Sequence, residues 1–296
     1  MQVCSKDLFT RVAIPAAAAL VVLLGGRTAS AQSGMQEPPP PQAQQQSSAH
    51  KPDPHPEPFT FEAAYKLEHI NVASDKHDVK LQLTRTMTRR TSITAGYEQE
   101  SNFGELDGQV NFGVTHALDK RMSVTGNFTQ GIAADLLAGQ VYDVQSTIKA
   151  SPHFIPQLEY SFSAFTTERH GVETNEHLHL LGIGAEMPIN QRSALTLTYQ
   201  YSNTNRNDDD DHSGSFEFAY LASKKLSIIV GGGFGSERVL AHTHTEIFRN
   251  SDLVSAGGGI KYRLPGGRGV KLGYQFQDRK QAYKVNVISM GFYTAF

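Results

Sequence analysis

The sequence predicts an all-β fold, a transmembrane antiparallel β-barrel of about fourteen strands preceded by a Pro/Gln-rich tether. Three observations carry the prediction. Apolar and hydrophilic residues alternate with period two from residue 59 to the end of the 296-residue chain. The alternating runs are about ten residues long, the length a tilted membrane strand needs. Beyond residue 58 the prolines, Pro152, Pro156, Pro188 and Pro265, fall between runs rather than inside them.

The N-terminus reads as a signal peptide over residues 1–31. Lys6 and Arg11 precede an apolar run from Val12 to Leu24, and Ala29-Ser30-Ala31 forms a small-x-small cleavage site before Gln32. That run is too short for a membrane span, which needs about 20 residues. Cys4 is the only cysteine and lies ahead of the apolar run, so the mature chain is expected to have no disulfide, thiol nucleophile or lipid anchor.

Residues 32–58 are dominated by Pro, Gln, Ser and His, with Pro38 to Pro41 in a row and Pro52, Pro54, Pro56 and Pro58 alternating. Such a composition buries no core and predicts an extended or disordered tether in the periplasm. A periplasmic partner docking on it is the functional alternative to a spacer.

From residue 59 each run has one apolar and one hydrophilic face. Phe59, Phe61, Ala63, Tyr65 and Leu67 oppose Glu62, Ala64, Lys66 and Glu68. Leu158, Tyr160, Phe162 and Ala164 oppose Glu159, Ser161 and Ser163. Leu195, Leu197, Tyr199 and Tyr201 oppose Thr196, Thr198 and Gln200, and Val270, Leu272, Tyr274 and Phe276 oppose Lys271, Gly273, Gln275 and Gln277. A soluble antiparallel sandwich would alternate too, but with strands of about five or six residues. The mean hydropathy of −0.37 is no objection, because half of each strand faces a polar interior.

Strands are expected at 59–70, 77–87, 91–101, 106–117, 121–130, 140–150, 157–167, 175–186, 193–203, 213–222, 226–236, 251–263, 268–278 and 283–296. Twelve is the alternative count, because the segment from Gly131 to Ala150 alternates least. Short links such as Thr88-Arg89-Arg90 and Ser223-Lys224-Lys225 belong on the periplasmic side. Longer polar links, including Asn71 to Lys76, Glu168 to Thr174 and Glu237 to Asn250, belong outside. With no Trp, the interface girdles fall to Tyr97, Tyr160, Tyr201, Tyr220, Tyr262 and Tyr293.

The chain ends with Ile288, Met290, Phe292 and Phe296 on one strand face and Ser289, Gly291, Tyr293 and Ala295 on the other. This ending resembles the closing strand of bacterial outer-membrane barrels, whose assembly machinery reads a terminal Phe and alternating hydrophobics inward of it. Thr294 stands where that pattern is usually aromatic. Lys284 and Asn286 share the face of Phe296, which a bulge or the edge of the bilayer would explain. With the Gly–Tyr pairs Ala95-Gly96-Tyr97-Glu98 and Lys271-Leu272-Gly273-Tyr274, the region resembles the YaiO-type outer-membrane barrels. That resemblance implies an outer-membrane location with lipid and the β-barrel assembly machinery as partners. More loosely, it implies a link to envelope biogenesis or surface polysaccharide.

Eight-stranded barrels are filled by side chains and those of sixteen to eighteen strands hold water channels, so about fourteen strands leave a lumen wide enough for solutes. The leading expectation is a pore. Its lining charges are expected at Glu62, Lys66, Glu68, Lys80, Glu98, Glu159, Glu217, Lys261 and Lys271, whose mixed signs give no strong ion selectivity. The alternative for these charges is solvation or pairing across the interior.

Other readings are weaker. Gly231-Gly232-Gly233 and Gly257-Gly258-Gly259 lack the following helix a phosphate loop needs, and read as strand curvature or room within the lumen. Asp210 and His212 share a strand face and are the best candidate for general-base chemistry, but no second carboxylate pair or matching serine accompanies them. His177 with His179, and His242 with His244, have metal-ligand character on non-neighbouring strands and make no single site. No enzyme, metal or cofactor is therefore expected. The formal charge of −2 and the lack of basic patches with aromatics argue against nucleic acid. A structural or surface-recognition barrel is the remaining class.

Overall fold

The computed structural model describes residues 59–71, 75–102, 105–133, 138–169, 172–204, 210–243, 246–280 and 283–296. The expected signal peptide and tether lie outside the described residues. Fourteen strands follow in order: β1 (Phe59–Ile70), β2 (Lys76–Thr86), β3 (Thr91–Asn102), β4 (Glu105–Ala117), β5 (Met122–Ala133), β6 (Gln140–Ile148), β7 (Ile155–Arg169), β8 (Val172–Asn190), β9 (Ser193–Thr204), β10 (Asp210–Leu221), β11 (Leu226–Thr243), β12 (Glu246–Arg263), β13 (Arg268–Arg279) and β14 (Tyr283–Ala295). Each pairs antiparallel with the next, and β14 returns to β1 to close the barrel. The count is fourteen, not twelve; β6, in the weakly alternating segment, is the shortest strand at 9 residues.

Closure is complete along the seam. The register runs from Thr60↔Ala295 to Ile70↔Val285 without a shift. At one end, called the terminal end below, Phe59 and Phe296, the first and last described residues, exchange backbone bonds of 3.0 and 2.9 Å. At the opposite, loop end, the Lys284 N–H donates to the Asn71 side-chain oxygen at 2.8 Å. A closed ladder leaves no edge strand around the body of the barrel; the projecting tips of the β7–β8 and β11–β12 hairpins pair on one side alone.

Local side-chain chemistry fixes the turns at the terminal end. Thr88, Asp119, Asn190 and Ser223 each accept backbone N–H bonds from residues two and three positions ahead, and Ser151 accepts one from His153. The β12–β13 turn uses Gly266 and Gly267 at φ 72° and 70°, a conformation that glycine adopts without penalty. Proline placement is a partial correction. Pro156 is the second residue of β7, and Pro188 lies inside β8 beside a register shift, both at strand ends where a missing donor is tolerated.

The expected outer loops are another correction. Glu237 to Asn250 falls largely within the β11–β12 hairpin, which continues its backbone pairing to Thr243↔Glu246. The β7–β8 hairpin likewise pairs out to Arg169↔Val172. Beyond the bilayer a strand needs no apolar face, so the alternation stops while the ladder goes on.

The two faces have opposite chemistry. Outward stand Val79, Leu81, Leu181, Ile183, Leu197 and Tyr199, all exposed. A continuous exposed apolar belt is untenable in water and matches the hydrocarbon of a bilayer. Near its loop-end border, outward tyrosines meet polar groups on neighbouring strands: Tyr65 with His77 at 2.7 Å, Tyr160 with His179 at 2.9 Å, and Tyr274 donating to Asn286 at 2.7 Å. This belt supplies the girdle that tryptophan usually provides. Tyr293 was expected in the girdle but faces inward, because it shares parity with buried Val285 and Val287.

Candidate functional site

The inward face of the barrel is the candidate site. Strand parity decides which residues line it, and all nine charges expected there share that face: Glu62, Lys66 and Glu68 on β1, Lys80 on β2, Glu98 on β3, Glu159 on β7, Glu217 on β10, Lys261 on β12 and Lys271 on β13. The structure groups them unequally. Lys66, Glu68, Lys80 and Glu98 belong to a ladder on β1 to β4, Glu62 joins Lys271 and Lys261 near the seam, and Glu159 and Glu217 lie on β7 and β10.

The ladder arises because inward residues on neighbouring strands are directly opposed. Lys66 lies opposite Asp78, and its ammonium is 3.3 Å from that carboxylate and 3.1 Å from Glu68. Lys80 opposes Glu98 at 3.3 Å. Lys76 reaches Glu100 at 2.8 Å, and both side chains are almost wholly buried. Glu100 in turn opposes Asp107. Farther round, Asn127 donates to Asp143 at 2.7 Å, and the Gln109 amide donates to the Ala138 carbonyl at 3.1 Å.

Lys76, Asp78, Glu100, Asp107 and Asp143 were not singled out from the sequence. The sequence places Lys76 in a polar link, yet it begins β2 and points inward. The signal that finds them is parity: Lys76, Asp78 and Lys80 are spaced by two on one strand.

Glycines make room for the larger inward side chains. A Cβ added at Gly182 would stand 3.2 Å from the Cβ and Oε2 of Glu159, which therefore lies across β8 where no side chain intervenes. Lys271 crosses Gly291 of β14 in the same way and bonds Glu62 on β1. The triple glycines of β11 and β12 lie within their strands, with Gly231 opposite Gly257 and no helix behind either. At the loop end the inner wall turns apolar: Ile70, Val285 and Val287 cluster there with Tyr283 packed against them, and Arg279 stacks on the Tyr283 ring at 4.9 Å.

The residues weighed for catalysis and metal binding face outward instead. Asp210 and His212 share a face, as expected, but it is the outer one. Asp210 accepts bonds from Tyr201 and Asn203, whereas His212 is bonded to Tyr199 at 2.6 Å. His177 stacks on Phe162, and His179 is held by Tyr160. The side chains of His242 and His244 lie outside the described residues. Among the described residues no group of three or more His, Cys, Asp or Glu could hold a metal.

On the terminal strand, Ile288, Met290, Phe292 and Phe296 all face outward. The β13–β14 register has no shift, so Asn286 and Lys284 keep the same parity without a bulge. They occupy the loop-end border, where the Tyr274 hydroxyl satisfies Asn286.

No family model and no curated protein sequence matches the chain. Among solved structures, the CymD monoaromatic hydrocarbon channel superposes with a TM-score of 0.58 at 11% identity, over 82% of this chain and 89% of that one. A TodX deltaS2S3 mutant monoaromatic hydrocarbon channel gives 0.60 at 9% identity, over 82% and 91%. The P. putida toluene transporter TodX gives 0.53 at 10% identity, with the same two coverages. At such identities the likeness is one of fold: the chain shares the closed β-barrel architecture of these proteins.

Proposed function

We propose that this barrel is an outer-membrane pore for small polar solutes, with its terminal end in the periplasm. The observation that carries the reading is the inversion of the fold: an apolar belt outside and an inner wall rich in charged, amide and hydroxyl side chains. A polar inner wall has a role where water and solutes occupy the lumen. That CymD and TodX are described as channels supports transport. The ionic ladder facing this lumen favours polar cargo over hydrocarbons.

Within the outer-membrane class, kinship to the YaiO-type barrels is part of the same proposal, supported by the Gly–Tyr pairs and the terminal strand. So are delivery by the assembly machinery and the periplasmic placement of residues 32–58. No catalytic step is assigned, because the Asp210–His212 pair faces outward and each member is bonded to its own tyrosine.

A second reading is a filled barrel serving envelope structure or surface recognition. It is favoured by the β4–β6 sector, where Asn111 and Thr129 are each only 1% exposed. Proteoliposome swelling separates the two readings. A pore admits small sugars and amino acids at rates that fall with solute size, whereas a filled barrel leaves the liposomes impermeable.

A further inference from the structure

We infer that the terminal mouth of the lumen holds an oxyanion subsite formed by Lys261, Lys271 and Arg263. The inference deepens the pore reading by naming a ligand class, but binding at this site does not require conduction. The starting observation is an electrostatic misfit. Lys261 of β12 and Lys271 of β13 are directly opposed in register, and both point inward. Like charges placed directly across a ladder work against the pairing. The other inward lysines avoid this: Lys66 has Glu68 and Asp78, Lys76 has Glu100, and Lys80 has Glu98.

The geometry concentrates the positive charge further. Tyr293 of β14 faces inward over Gly269, and its ring gathers both ammoniums, with Lys261 Nζ 4.8 Å from the centroid and Lys271 Nζ 6.0 Å. Arg263 occupies the next inward position of β12 toward the mouth, opposite Gly269. The charged groups acting on Lys261 are Lys271, Arg263 and Glu62. Glu62 already bonds Lys271, so three cations share one carboxylate around a single aromatic ring.

A small oxyanion resolves the misfit. Two ammoniums and a guanidinium fork offer convergent donors to a ligand with two or more acceptor oxygens, a carboxylate or a phosphate. Gly259, Gly269, Gly273 and Gly291 are inward positions around the cluster, and the bare backbone of Gly269 and Gly291 lets the Tyr293 ring and the Lys271 side chain lie across the β12–β14 wall. The site lies at the mouth, so a solute crossing the terminal end meets it first or last.

The test uses the refolded mature protein in zwitterionic detergent. Sodium phosphate and sodium citrate are titrated separately by calorimetry against sodium chloride of equal ionic strength. Saturable binding is expected, and K261Q should weaken it by about tenfold, the loss of one charge-assisted bond. K261E should abolish it, whereas K224Q, in the β10–β11 turn at the same end, should leave it unchanged. Binding of phosphate alone identifies a tetrahedral oxyanion, and binding of citrate alone identifies a carboxylate. Heat-modifiable migration in gels shows that each variant is folded. Binding of neither anion, or binding that folded K261Q and K261E retain in full, would overturn the subsite. A barrel that binds citrate but passes no current contradicts the pore reading alone.

Discussion

Lys271 reaches across the closing strand to bond Glu62, two strands away, over the bare backbone of Gly291. The bond pins β13 to β1 with β14 held between them, so the seam that closes the barrel is tied by a side-chain pair as well as by its own ladder. A Cβ at Gly291 would stand 3.7 Å from the Cβ of Lys271 and 3.8 Å from its Cδ, which leaves space for a methyl group and not for a branched side chain.

Substitution at Gly291 should therefore divide by size. Gly291→Ala should unfold in urea near the wild-type midpoint, while Gly291→Leu should displace Lys271 and lower it. Both partners are partly exposed, so the coupling between E62Q and K271Q in a double-mutant cycle should be about 0.5–1 kcal/mol. Equal midpoints for the alanine and leucine variants would show that the pair does not cross Gly291.

The Lys76–Glu100 pair behaves differently because both side chains are buried. Lys76→Met leaves the Glu100 carboxylate without its cation and should cost about 3 kcal/mol of unfolding free energy. Lys76→Met combined with Glu100→Gln removes both charges and should recover much of that loss. A double variant as unstable as the single one contradicts the account.

The β4–β5 turn carries a pH signature. Asp119 accepts N–H bonds from Arg121 at 2.6 Å and Met122 at 2.8 Å, and these bonds, with the Arg121 and Arg90 charges, hold its carboxyl below the usual aspartate range. A lowered carboxyl stabilises the folded state fully above its unfolded value of about 3.9, and the contribution is lost as pH falls through the lower folded value. Asp119→Ala should thus lower the urea midpoint at neutral pH, and the gap from wild type should close in strong acid. A gap that stays constant from neutral pH into strong acid removes the carboxylate from the explanation.

Phe296 has a structural and an assembly role that can be separated. Its ring stacks on Phe59 at 5.8 Å, with Arg85 above Phe59 on the other strand of the hairpin. Phe296→Ala should reduce the amount of barrel reaching the outer membrane in cells, yet fold in detergent almost as well as wild type. Undiminished assembly in cells would show that the terminal aromatic is not the recognised feature.

The strand number and the identity of the two faces were legible because a membrane strand must show lipid one side and water the other. Parity alone assigned Glu62, Lys80, Glu217 and Lys271 to the interior. The extensions of β7, β8, β11 and β12 were not legible: outside the bilayer both faces meet water, so Glu237 to Asn250 carries no alternation although its backbone pairs as strand. Lys76 was lost to the same cause, a polar residue at the first step of a strand. Partnership was not legible either. Nothing in the spacing of Lys271 and Glu62 announces that a glycine between them permits their contact, and although its parity with Ser289 and Gly291 turns Tyr293 inward, nothing in the sequence marks it as a platform for lysines.

If water and solutes pass through the lumen, as proposed, the refolded protein conducts ions in a planar bilayer, and single-channel recording reads that conduction without an intermediary. Discrete, stable current steps are expected, with ion selectivity shifted toward cations in Lys66→Glu. A correctly folded, heat-modifiable barrel that inserts and carries no current would contradict the pore reading.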